Sequence, residues 1–357
     1  MKTKSFGLFV VGLAVAALFW AFEQDRRIVN PVDTAFLSSI ASCEEKGVSA
    51  AGRQCYENYL TTLLETHGAE VAVKEMGRFE EASPVVKTYC HGIAHTLGHA
   101  GYEFYGSLQE ALSHGDMDCF AGYFHGVIEE ALPEAPDYNQ AIKDACNGTS
   151  QKDGEFRFYQ CVHGLGHGVT AYRQYDVLAA LADCGLLASS WQQESCWGGV
   201  FMENIDSKFV TAMGFERQGS LQDDDTDFWP CLSVTEAYRP PCLRMITARI
   251  LPKHDRSFAY ASQACDGLEV DRYRGLCFES YGRDAAGEAL HTELNKINEL
   301  CDAVPEDMRD TCYETGAAVI ATHFANPDKA NEICARAGES QAACERGKKK
   351  IAESLAG

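Results

Sequence analysis

Residues 161–173 read CVHGLGHGVTAYR, and this stretch decides the fold because it is one copy of a recurring theme. Related segments open at other cysteines: CYENYLTTLLETHG at 55, CWGGVFMENI at 196, CFESYGRDAAGEAL at 277 and CYETGAAVIATHF at 312. With Cys90, Cys119, Cys242 and Cys344 added, the nine heads are separated by 35, 29, 42, 35, 46, 35, 35 and 32 residues. A period near 35 is the length of a two-helix repeat, a unit that cannot bury its apolar face alone and so stacks on its neighbours. The expectation is an all-α chain, an α-solenoid of about nine helical hairpins. In each hairpin the first helix ends near one cysteine and the second opens at the next.

The chain holds 16 cysteines, all within residues 43–344, and no two are spaced C-x-x-C. That removes zinc ribbons, thioredoxin-like motifs and c-type haem attachment. Seven pairs stand 10 to 15 residues apart: Cys43 with Cys55, Cys146 with Cys161, Cys184 with Cys196, Cys231 with Cys242, Cys265 with Cys277, Cys301 with Cys312, and Cys334 with Cys344. They are expected to bridge, each closing a short loop that contributes about 3 kcal/mol in the chain-entropy model. Thiols ligating a metal are the rival explanation, and such regular wide spacing counts against it. Cys90 and Cys119 lack a cysteine at that distance upstream. Two outcomes are open for them: a bridge to each other across adjacent repeats, or free thiols beside a histidine cluster.

A stapled array of this period resembles the cysteine-rich Sel1-like repeat proteins, in which a disulfide staples each helical hairpin. The cysteine spacing here is wider, and both the Sel1-type glycine pattern and the tetratricopeptide Trp-Leu-Gly-Tyr pattern are missing. The resemblance therefore implies an architecture and no function.

At 357 residues the chain exceeds what one compact core usually sustains, which agrees with an elongated array. Its 52 acidic and 31 basic side chains leave a formal charge of -21, which repels phosphate backbones and argues against nucleic acid as a partner. The start is different in character. After MKTK, residues 5–22 carry no charge, and EQDRR follows at 23–27. This is an export signal, read as an uncleaved membrane anchor, with a cleaved signal peptide as the alternative. Residues 1–22 are thus the targeting segment, 23–40 a linker and 41–357 the repeat domain. Disulfides persist in oxidising compartments, so the body is expected outside the cytoplasm, in a periplasm or at a cell surface.

Seven of the 11 histidines fall within residues 91–167. His91, His95 and His99 are spaced i, i+4 and i+8; His163 and His167 repeat the spacing, and His125 has Glu129 at i+4. Residues four apart share a helix face, so each pair is a two-donor unit for a transition metal. Counted from their cysteines, His125, His167 and Met202 are each six residues on and His95 is five on, which makes one column along the stacked second helices. Gly92, Gly126 and Gly164 each follow or precede a histidine, and glycine in a helix costs about 1 kcal/mol against alanine, so close helix approach is expected there. The clustered histidines are confined to repeats two to four while the cysteine framework continues, which repeat packing alone does not explain.

The candidate ligands are His91, His95, His99, His125, Glu129, His163 and His167, and imidazole with one carboxylate suits zinc, copper or iron. An open coordination position would allow metal-assisted hydrolysis or oxygen chemistry. Further along, Arg249 and Arg283 are candidates for an anion-binding pair, with pairing to local acids such as Asp284 as the alternative. Asp223, Asp225 and Asp227 open like an EF-hand loop, but Phe228 and Val234 stand where Gly and Glu are needed. The functional expectation is a membrane-anchored, extracytoplasmic helical-repeat metalloprotein. The alternative is a stapled scaffold whose groove binds an envelope or cell-surface protein or peptide without metal.

Overall fold

The computed structural model describes residues 41–115, 118–147, 155–205, 221, 223–324 and 326–356. Among them helices dominate and there is no strand. Eight long helices follow the cysteine heads: α1 (Ala50–His67), α2 (Pro84–Tyr105), α3 (Gly122–Glu134), α4 (Glu155–Tyr172), α5 (Ser190–Ile205), α6 (Asp271–His291), α7 (Arg309–His323) and α8 (Gln341–Ala356); each carries its head within it except α3, whose head Cys119 lies in the turn Asp118–Ala121 just before it. Between α5 and α6 the corresponding element is broken into Arg239–Leu243 and Thr247–Lys253. These nine units pack in chain order, each on the next, with shorter helices such as Val177–Cys184 and Phe258–Asp266 completing the hairpins behind them. This is the expected all-α solenoid.

Local chemistry sets the helix ends. Ser49, Ser83, Ser107, Asp137, Asp176 and Ser257 each accept a hydrogen bond from a first-turn amide of the helix that follows. Such caps satisfy amides that have no partner inside the helix and contribute about 1 kcal/mol each. Pro84 occupies the first position of α2, and Gly106 ends that helix in the left-handed region at φ 66°. Several second helices begin before their cysteines: α1 starts five residues ahead of Cys55, and α5 and α6 each start six residues ahead of Cys196 and Cys277, whereas α3 starts after Cys119. In α1 the Ser49 cap sets the start, and in all three the cysteine lies a turn or more inside, where it can reach the preceding helix. In the broken unit the Thr247 amide donates to Ser280 Oγ of α6 at 3.0 Å instead of continuing a helical ladder.

All seven hairpin staples form, with Cα–Cα separations of 5.3 to 5.8 Å. Cys90 and Cys119 bridge each other at a Cα–Cα distance of 5.3 Å, so no cysteine is free. The core between the layers is continuous along the array and includes Tyr56, Phe79, Tyr123, Phe124, Phe201, Phe278, Tyr281 and Tyr313, all fully buried.

The array also curls. α8 touches α4, α7 touches the turn Asp118–Ala121, and His323 Nε2 comes within 3.9 Å of Glu80 Oε1. Where the turns approach there is a cavity of about 530 Å³, bordered by Glu80, Lys87, His91, Asp118, His291 and His323. Among the described residues no helix is long and apolar enough to cross a membrane. The expected anchor at 5–22 and linker at 23–40 lie outside the described residues.

Candidate metal centre

The histidine-bearing helices α2, α3 and α4 meet at glycines. A Cβ on Gly126 would stand 2.0 Å from the His95 carbonyl oxygen, and one on Gly98 would stand 2.2 Å from that of Tyr123. The backbones of α2 and α3 thus touch where only hydrogen fits. Gly166 and Gly199 do the same between α4 and α5. The other two expected positions serve differently: Gly164 leaves room for the His125 ring, and Gly92 faces the guanidinium of Arg53.

This closeness brings four imidazoles together. Ring centroids are separated by 4.6 Å for His91 and His95, 5.2 Å for His91 and His125, and 6.2 Å for His91 and His167. The remaining distances are 5.3 Å for His95 and His125, 5.9 Å for His95 and His167, and 4.4 Å for His125 and His167. His91, His95 and His125 present ligand atoms all within 4.8 Å of one another, as do His95, Glu129 and His167. A third such group, Glu80 with Cys90 and Cys119, is taken up by the disulfide.

Three of the four rings are held from behind at Nδ1. His91 Nδ1 is 2.9 Å from the Cys119 carbonyl, His95 Nδ1 3.1 Å from Glu129 Oε2, and His167 Nδ1 2.8 Å from Glu203 Oε2. Carbonyl and ionised carboxylate oxygens only accept, so Nδ1 carries the proton in His91 and His95, and in His167 when Glu203 is ionised, which puts the lone pair of each neutral ring on Nε2. Outer partners of this kind fix the tautomer and raise the basicity of a metal-ligating histidine. Glu129 Oε2 also accepts from His99 Nε2 at 2.9 Å, and Glu203 Oε1 accepts from the Tyr175 hydroxyl at 3.2 Å.

The inward nitrogens lack ordinary partners. Neither nitrogen of His125, nor Nε2 of His167, has a hydrogen bond, although both residues are buried. His95 Nε2 faces His91 Nε2 at 3.1 Å, a contact that needs a cation or a proton between two lone pairs. Burial, with neighbouring imidazoles second, holds His91 and His167 down to about 3 and His125 well below its ordinary value, so all three are neutral donors at neutral pH. Burial opposes protonation of His95 too, but Glu129 outweighs it and raises that ring. Burial, then the nearby charge of Glu129, raises Glu203 to about 7.

The other expected residues fall around this group. His163 is buried beside it, 5.1 Å from His167 and 5.8 Å from His125 between centroids, with Nε2 3.4 Å from Met202 Sδ. His99 sits at the rim, bracing Glu129. Arg249 is far along the array and fully engaged: its guanidinium clasps Asp223 at 2.6 and 3.1 Å, donates to the Thr226 carbonyl at 2.9 Å and lies over Trp229. Arg283 pairs with Asp284 at 2.8 Å. Asp225 and Asp227 are likewise occupied, by Lys253 and His254. The expected anion pair thus consists of two arginines already matched by carboxylates, as in the alternative of pairing to local acids. Glu203, Tyr175 and the Cys119 carbonyl escaped the reading of the sequence. Glu203 follows Met202 of the column, and that adjacency was the one available signal.

Compared with known proteins, the chain matches no family model, no curated protein and no solved structure.

Proposed function

We propose that this protein is an extracytoplasmic, membrane-anchored metalloprotein whose helical array holds a single transition metal ion through Nε2 of His91, His95 and His167 and one nitrogen of His125. The observation that carries this reading is the set of six centroid separations, from 4.4 to 6.2 Å. A metal bound by imidazoles at about 2.0 Å has each centroid about 3.2 Å away, and an ideal tetrahedron of that radius has edges of about 5.2 Å. The observed edges straddle that value, and the His125 and His167 rings, stacked at 15° to each other, turn about their side-chain bonds for both to face one ion. Orphaned lone pairs and three outer acceptors are what such a site requires.

Four imidazoles fill a tetrahedron, and a catalytic centre keeps one position open. The reading therefore favours holding, buffering or handing on an ion over hydrolysis. Zinc, copper and iron all suit four imidazoles. The residues lining the cavity include His91, which gives the centre a route to solvent through the gap between turns. Eight disulfides suit an oxidising compartment. Attachment to the membrane through residues 5–22 completes the proposal.

The test is elemental analysis of the exported chain, purified without a histidine tag or chelator. Near-stoichiometric zinc, copper or iron that disappears when His95, His125 and His167 are all changed to alanine is expected. A protein that holds no metal and takes up none when it is supplied leaves the stapled scaffold as the working function.

A further inference from the structure

His163 does not point into the four-histidine group with its Nε2; that nitrogen faces the thioether of Met202 at 3.4 Å. The two side chains come from α4 and α5, whose backbones touch at Gly166 and Gly199, so the pairing is fixed by the same close crossing that builds the main centre. His163 is 5% exposed and Met202 is half-buried, which places a nitrogen donor inside and a sulfur donor towards solvent. Met245 lies nearby: a Cβ on Gly198 would stand 3.5 Å from His163 Nδ1 and 4.0 Å from the Met245 methyl carbon, while the Met245 sulfur meets the Arg283 guanidinium. Tyr159 stacks on the ring at 5.7 Å and covers it.

We infer that His163 and Met202, flanked by Met245, form a second site, selective for a soft monovalent cation of the copper(I) class. An ion about 2.0 Å from the imidazole nitrogen and about 2.3 Å from sulfur, at a near-tetrahedral angle, puts those atoms about 3.4 to 3.5 Å apart, which is the separation they have. Thioether ligands favour copper(I) over zinc or the harder divalent ions. The Arg283 guanidinium contacts Met245 Sδ and is paired with Asp284 at 2.8 Å. The site extends the metal reading to a second ion, yet it does not depend on the four-histidine centre being filled. Lying beside His167, it gives that centre a neighbouring station through which a soft ion enters or leaves.

Silver(I), a redox-inert stand-in for copper(I), is the probe, titrated into the full exported chain against a competing chromophoric chelator. Met202→Leu, a substitution close in volume, is expected to weaken silver binding at least tenfold and to leave the divalent metal content unchanged. In the wild-type chain labelled with ¹³C at the methionine methyls, the Met202 signal is expected to shift on addition of one equivalent. Silver binding that is unchanged in Met202→Leu, or a Met202 methyl that does not move, overturns the inference. Loss of divalent metal with silver binding intact would instead count against the four-histidine centre alone, so the two failures are distinguishable.

Discussion

Gly126→Ala probes the contact on which the whole centre rests. The new Cβ would lie 2.0 Å from the His95 carbonyl oxygen, against 3.4 Å or more for ordinary contact, so α2 and α3 must separate locally by about 1.4 Å. Overpacking of this kind costs about 1–3 kcal/mol, and removing a helical glycine returns about 1 kcal/mol, leaving a net loss of about 0–2 kcal/mol. Metal binding should suffer far more. His125 is the neighbouring residue, and ligand sets tolerate about 0.5 Å of displacement before the productive geometry is lost. A fall of about 100-fold in affinity is expected, equivalent to about 2.7 kcal/mol. The control is the same change at Gly275 in α6, where an added Cβ meets nothing within 4 Å. That variant should be more stable by about 0.5–1 kcal/mol and bind metal as the wild type does. Thermal melting of the metal-free proteins and chelator competition read the two effects separately. The reasoning is refuted if Gly126→Ala matches Gly275→Ala in melting temperature and keeps wild-type affinity.

Three further outcomes are expected. Glu203→Gln leaves an acceptor for the His167 Nδ1 proton but no charge, and chelator competition should show metal affinity lowered about 10- to 100-fold, with full occupancy still reached at high metal. Replacing Cys184 and Cys196 together by serine removes a staple with a sequence separation of 12 and should cost about 2–3 kcal/mol in thermal unfolding, while mass spectrometry without reductant still finds seven bridges. Burial, then Asp118, raises the Glu80 carboxyl from 4.5 to about 7, so its protonated form is the one the fold favours. Below about 4.5 it costs nothing; as pH rises through 7 it ionises in place and stability is lost, by a few kcal/mol at most. Glu80→Gln should therefore melt like the wild type at pH 4.5 and above it at pH 8, and equal melting at both would contradict the raised carboxyl.

The repeat period and the hairpin staples were legible because a disulfide within a hairpin keeps both cysteines close in sequence, and seven such pairs mark their own repeats. The Cys90–Cys119 bridge was not, since it spans 29 residues and depends on a turn in which Cys119 and Ala121 take positive φ of 55° and 60°. Spacing of four on a helix marked His91, His95, His125 and His167 as a set. It could not say which carboxylates stand behind them: Glu129 lies on a histidine-bearing helix and was included, whereas Glu203 lies on one without histidines. Gly98, Gly166 and Gly199 matter as much as Gly126, but only the crossing of two backbones distinguishes a contact glycine from one such as Gly275. The broken sixth unit depends on Ser280, 33 residues from the amide it accepts, beyond the reach of local pattern.

The approach of α8 to α4, and of α7 to the turn Asp118–Ala121, changes how the molecule must unfold. An open array of repeats frays from its ends, and its stability is a sum of nearest-neighbour terms. Here α8 rests on α4, which carries His163 and His167, and α7 on the turn that leads into α3, so the final repeats are neighbours of the metal-bearing ones in space though far from them along the chain. Loss of the C-terminal hairpins would then be felt at the metal centre, and metal held there would steady the distant end of the chain. The protein should melt as one cooperative unit, with its last repeats acting as a clasp instead of a dispensable tail.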